Sequence, residues 1–84
     1  MNFSVGDNVS IVEEVNGAYS VSMSYITKIK DNCIALSCGS SFSQKDIDGK
    51  QMLCNIVPWL KEYAFESSKD AHSFIMNRIE GGIV

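Results

Sequence analysis

The sequence predicts a mainly β protein: a small five-stranded antiparallel barrel packed against one C-terminal helix. Three observations predict it. From Tyr19 to Tyr25, larger side chains alternate with serines residue by residue, the period of a strand with two unlike faces. Asn16-Gly17 and Asp48-Gly49 are dipeptides that accept the positive φ of tight hairpin turns. Beyond Pro58 the period changes, and Ala71, Phe74, Ile75 and Ile79 recur at helical spacing.

The elements follow in order. Gly6-Asp7 turns the chain into a first strand over residues 8–13, with Val9 and Ile11 on one face and Ser10 and Val12 on the other. The loop around Asn16-Gly17 leads to a long second strand, residues 18–30. Its alternation holds to Tyr25 and becomes apolar on both faces near Ile26. A strand that long must bend to stay in a small barrel, so a bulge is expected at residues 25–27. A third strand over 33–38 points Ile34 and Leu36 inward, and a fourth over 41–45 carries Phe42. The fifth, over 51–57, has apolar residues on both faces and is expected to be covered on both sides. Pro58, lacking an N–H, ends the ladder. Residues 58–66 read as a connector, and the helix spans 68–80. Ser67 and Asp70 carry the spacing of a capping box, and Gly81-Gly82 stops the helix. The 84 residues make one domain.

Composition excludes several classes. With 45% hydrophobic and 20% charged residues the chain is too apolar for disorder. Its net charge is −3, and its seven basic residues are scattered, with Arg78 the only arginine. Nucleic-acid affinity rests largely on clustered cations, so this balance disfavours nucleic acid. Three cysteines, Cys33, Cys38 and Cys54, are an odd number without a pairing pattern, which argues against a disulfide scaffold. No secretory signal follows Met1, and no apolar run reaches the length of a membrane helix. The expected location is a reducing cytoplasm, with no membrane association.

The order of these pieces resembles a group of small phage and prophage proteins with Src-homology-3-like barrels. The matching residues are Phe3, Val5, Gly6, Asp7, Val9 and Ile11 in the opening, Ile26-Thr27-Lys28-Ile29 in the second strand, and Asp48-Gly49-Lys50. The tail from Ala64 through Glu66-Ser67-Ser68 to Ala71 also matches the Ser-capped final helix of that group. Openings of the Gly-Asp-x-Val type occur too in barrels of the KOW type, which are usually basic. The resemblance implies a cytoplasmic protein of a bacterial host that acts by binding another protein, as an inhibitor of a host factor or of a defence system would. The group carries no agreed activity, so it transfers no functional residue.

The residues themselves offer few chemical constellations. Cys33, Cys38, Cys54 and His72 are the types that ligate zinc, but four residues separate the first two and the others lie on different elements. Buried small hydrophobes explain the cysteines better. His72 is the only histidine, and it sits beside the apolar stripe of the helix; no nucleophile–base pair is evident. Asp46 and Asp48 flank a turn, and turn chemistry accounts for them. No cofactor, metal or enzymatic activity is expected.

The aromatic residues are the richer set. Tyr19, Tyr25, Trp59 and Tyr63 are the candidate contacts to a protein partner, because aromatic side chains bury much area at low entropic cost. For Trp59 and Phe65 a core position joining barrel to helix is the stronger expectation, while Tyr19 and Tyr25 lie on a serine-rich strand and are expected to be exposed. Lys28, Lys30 and Lys45 are the candidate phosphate contacts if the barrel binds nucleic acid instead. An exposed edge strand offers a route to a homodimer.

Overall fold

A computed structural model describes residues 3–47 and 49–81. Six strands and one helix follow in order: β1 (Asn8–Val15), β2 (Ala18–Lys30), β3 (Cys33–Leu36), β4 (Ser41–Ile47), β5 (Lys50–Asn55), β6 (Glu62–Phe65) and α1 (Ser68–Gly81). Each strand pairs antiparallel with the next, and β1 pairs with β6 to close a barrel. Closure needs the sixth strand. The sequence expectation of five strands and a featureless connector is corrected here, because Glu62–Phe65 pairs with both β1 and β5.

The expected bend is present. The β2–β3 register shifts between Ile26 and Lys28, so the first half of β2 pairs with β1 and the second half with β3. Asn16 (φ 52°) and Gly17 (φ 81°) both take left-handed conformations in the two-residue β1–β2 turn. That conformation matches the twist of the flanking strands.

Strand parity sorts the side chains. Val9, Ile11, Ile26, Ile34, Leu36, Phe42, Leu53 and Ala64 form the barrel core, with Phe3 packed against it. The opposite, outward phase is also buried where α1 lies. Val12 and Ser10 are inaccessible on the outer face of β1, and the Ser10 hydroxyl donates to Met23 Sδ at 3.4 Å. The helix thus packs on the barrel wall over β1 and β6. Ala71 is fully buried, and Phe74 meets Tyr63 and Phe65 with ring centroids 4.9 and 5.2 Å apart. Ile79, expected in the apolar stripe, is 46% exposed.

One half of the expected capping box is present at the start of α1. Ser67 Oγ accepts from the Asp70 N–H at 3.2 Å, satisfying one of the four helix donors that lack an intrahelical partner. Asp48 and Gly82, part of the expected turn and helix stop, lie outside the described residues. No helix among the described residues is long and apolar enough to cross a membrane.

Candidate functional site

The inward rows of the barrel change character at one end. On β1 the sequence of inward residues is Val9, Ile11, then Glu13; on β6 it is Ala64, then Glu62; on β5 it is Leu53, then Asn55. An apolar interior therefore ends in a polar mouth, a common location for ligand sites in small barrels.

The loop between β5 and β6 overhangs this mouth, and one buried amide pins both of its ends. Asn55 Nδ2 donates to Glu62 Oε1 at 2.8 Å, and Asn55 Oδ1 accepts from the Val57 N–H at 2.8 Å. Within the loop, the Leu60 N–H donates to the Val57 carbonyl at 3.1 Å, closing a four-residue turn. Pro58 occupies the second position of that turn, where its fixed φ fits. Trp59 takes the third, at the apex, and its side chain is 80% exposed.

The β1–β2 hairpin forms the facing wall. The Glu14 N–H donates to the Lys61 carbonyl at 3.0 Å, and Lys61 Nζ lies 3.6 Å from Glu14 Oε2. Glu13 sits directly opposite Glu62 in the β1–β6 register. Although Glu13 is exposed, the hydrogen bond between these two carboxyls, then the repulsion of the Glu62 charge, then a minor loss of solvation, push its pKa above the ordinary value. Between the walls lies a cleft of about 450 Å³, lined by Glu13, Val15 and Gly17 on one side and by Trp59, Leu60 and Glu62 on the other. Lys61 is matched by Glu14, so the Glu13–Glu62 pair leaves the cleft acidic. An open indole beside two carboxylates is suited to a cation: the ring face attracts it and the carboxylates accept its hydrogen bonds.

The four aromatic candidates do not form one surface. Tyr25 is exposed opposite Asn8, whereas Trp59 lies by the Asn16-Gly17 turn at the other end of the hairpin, roughly 20 Å away along the strand. Tyr63 sits beneath α1, with the Arg78 guanidinium carbon 5.8 Å from its ring centroid and 5.0 Å from that of Phe74. Tyr19 is half-buried beside it, and burial followed by the Glu14 carboxylate raises its phenol pKa. Of the residues expected in the core, Phe65 packs on Phe74 but Trp59 is largely exposed, which corrects that expectation for Trp59. Ser20 and Ser22 are exposed, but Ser24 is buried and shares a 2.7 Å hydrogen bond with Ser37.

Lys28, Lys30 and Lys45 do share a face. The registers place them on the outer wall of β2–β4, together with Cys33, Ala35, Ser41 and Ser43. Lys28, Lys30 and the small residues line a shallow trough of about 540 Å³ there. The cysteines are dispersed: Cys33 and Cys54 lie on either side of Ser43, and Cys38 is exposed in the β3–β4 turn. Burial raises the Cys54 thiol pKa, partly offset by Lys45. His72 is exposed on α1. Among the described residues, no three His, Cys, Asp or Glu side chains gather to hold a metal ion.

Sequence reasoning missed Glu13, Asn55, Leu60 and Glu62. The signal for Glu13 was available, since it continues the inward phase of Val9 and Ile11. Glu62 was hidden with its strand. No protein-family model matches this chain, and neither a curated protein nor a solved structure matches it.

Proposed function

We propose that this chain is a non-enzymatic protein-binding module that grips a basic segment of another protein in the cleft at the barrel mouth. One observation carries the reading: Trp59 is 80% exposed at the apex of a pinned turn, next to the Glu13–Glu62 pair. A large apolar ring held in water contributes nothing to folding stability and much to association when it is covered. The turn holds it in place beforehand, which lowers the ordering cost of binding. An arginine fits best, because its planar guanidinium stacks on the indole while forking onto a carboxylate.

The test is a titration followed by amide chemical shifts, using a short arginine-containing peptide and a matched glutamate-containing one. The first is expected to shift Glu13, Trp59 and Glu62, and the second to leave them unmoved. Equal response to both, or none to the arginine peptide, refutes the reading.

A second reading has one observation behind it. Lys28, Lys30 and Lys45 lie on one outer face flanked by small residues, which suits a single nucleic-acid strand. Binding of that kind weakens steeply with salt and is lost on replacing the lysines, with Trp59 uninvolved.

A further inference from the structure

Residues Ala18–Tyr25 of β2 have a strand on one side only. β1 pairs with all of them, and β3 takes up the other side only from Ile26 onward. The flanking bonds fix which groups face the open side. The Tyr25 carbonyl accepts from the Ser37 N–H at 2.8 Å, and the Tyr25 N–H donates to Ser37 Oγ at 3.2 Å, so Tyr25 points away from β1. Ile26 points the other way: its N–H donates to the Asp7 carbonyl at 2.9 Å, and its carbonyl accepts from the Gly6 N–H at 2.7 Å. Main-chain groups alternate along an antiparallel strand. Tyr19, Val21 and Met23 therefore turn their N–H and C=O groups outward, and none of these has a main-chain partner among the described residues.

We propose that this edge is the interface of a symmetric homodimer, in which Tyr19–Met23 pairs antiparallel with the same segment of a second copy about a twofold axis at Val21. Two observations commit the edge to a second copy. First, its sequence carries none of the devices that keep an edge strand alone. Residues 18–25 hold no charge, proline or glycine, and the bulge comes only after Ile26. Lys28 and Lys30 lie on the half of β2 that β3 already covers. Second, the segment is self-complementary in a register that its main chain allows and that engages all three outward residues of both copies. Val21 faces Val21 of the second copy, Tyr19 faces Met23, and Ser20 faces Ser22. Tyr19, Val21 and Met23 all lie on the outer face, and Val21 and Met23 are 37% and 67% exposed in the single chain. About six main-chain hydrogen bonds form, with a sulfur–aromatic contact at each end.

The twofold uses up both open edges, so the assembly closes at two copies. The Trp59 cleft lies on the β6 side of β1, away from this edge, so dimerisation leaves both clefts open. The inference stands or falls independently of what the cleft binds.

The test combines sedimentation velocity over a concentration series with residue-resolved amide exchange. A concentration-dependent dimer is expected. The amides of Tyr19, Val21 and Met23 should slow at least about tenfold in exchange as the dimer fills, while Ser20 and Ser22, already bonded to β1, stay slow throughout. Val21→Lys places like charges face to face at the axis and should raise the dissociation constant at least about tenfold. Ser22→Lys, at an exposed position that makes no side-chain hydrogen bond, brings two lysines together across the same axis and is expected to do the same with the monomer fold intact, so a folding defect in the first variant does not decide the matter. A monomer at every concentration, a dimer in which the Val21 amide still exchanges freely, or a dimer indifferent to both variants overturns the proposal.

Discussion

Phe74 of α1 meets Tyr63 of β6 with ring centroids 4.9 Å apart and planes tilted by 48°. This pair, extended by Phe65 and by the Arg78 guanidinium, is the aromatic part of the contact between helix and wall. The wall beneath it includes Val12, a fully buried residue on the outward phase of β1. Phe74→Ala uncovers that surface and removes both ring contacts. The expected loss is about 2 kcal/mol, below the range for a fully buried phenylalanine because Phe74 is half-buried. Urea denaturation measures it; a change under about 0.5 kcal/mol would mean the helix does not depend on this pair.

The helix start offers an independent check. Ser67→Ala removes the 3.2 Å bond to the Asp70 N–H and leaves that donor to water. A loss of about 1 kcal/mol is expected, and Ser67→Asp should restore most of it, since a carboxylate accepts the same bond and suits the positive end of the helix.

Fold and site were legible in the sequence to different depths. Val9, Ile11, Ile34, Leu36 and Phe42 sit inside, as their phase implies, because alternation records burial directly when one face is wet. β6 was illegible for the converse reason. Ala64 faces the core while Tyr63 and Phe65 lie under α1, so the strand is covered on both faces and its four residues show no polar alternation. With β6 unseen, the Glu13–Glu62 pairing could not be seen either. Trp59 admits both a core and a contact reading in the sequence, and the bulk of a tryptophan favours the core. Only the turn geometry set by Pro58 and the clamp of Asn55, neither visible as pattern, turns it outward.

Trp59→Ala separates stability from association. An 80% exposed side chain makes little contact in the isolated fold, so the melting temperature should stay nearly unchanged. Binding of an arginine-containing peptide should fall at least about tenfold, as expected for a central aromatic anchor. Loss of stability with unchanged binding would move Trp59 from contact to scaffold.

Glu13 gives a prediction in pH. Its folded pKa lies above the ordinary 4.5, through the Glu62 hydrogen bond first and the Glu62 charge second. The folded state therefore holds this proton more tightly than the unfolded state does. The resulting stability is fully present below the unfolded value and is lost as pH rises through the folded value. Glu13→Gln removes this contribution. Compared with the native chain, its stability should decline less between pH 4.5 and neutrality, as read from urea midpoints across that interval. Peptide affinity in the native chain should run the other way, strengthening as pH rises through the same interval, because a cation prefers the ionised pair. Parallel stability profiles for the two proteins would show that the carboxyls do not share a proton.

Asn55 decides whether the mouth is built or merely adjacent. Its side chain is 4% exposed and joins Glu62 to the Val57 N–H, so it ties the start of the Trp59 loop to the carboxylate the loop overhangs. Asn55→Ala loses both bonds and leaves part of that polarity unsatisfied, at an expected cost of about 2 kcal/mol. Asn55→Asp is the more telling change. It keeps the acceptor for the Val57 N–H but replaces the donor facing Glu62 with a carboxylate oxygen, adding a further carboxyl beside the Glu13–Glu62 pair. At neutral pH it should be at least as destabilising as alanine. On acidification it should recover, because protonation restores a donor toward Glu62 and relieves the repulsion. Trp59 reports on the loop at the same time: its fluorescence anisotropy should fall in both variants at neutral pH and return at low pH only in Asn55→Asp. An alanine variant with native anisotropy would mean that the turn around Pro58 orders itself, and that the clamp holds Glu62 alone.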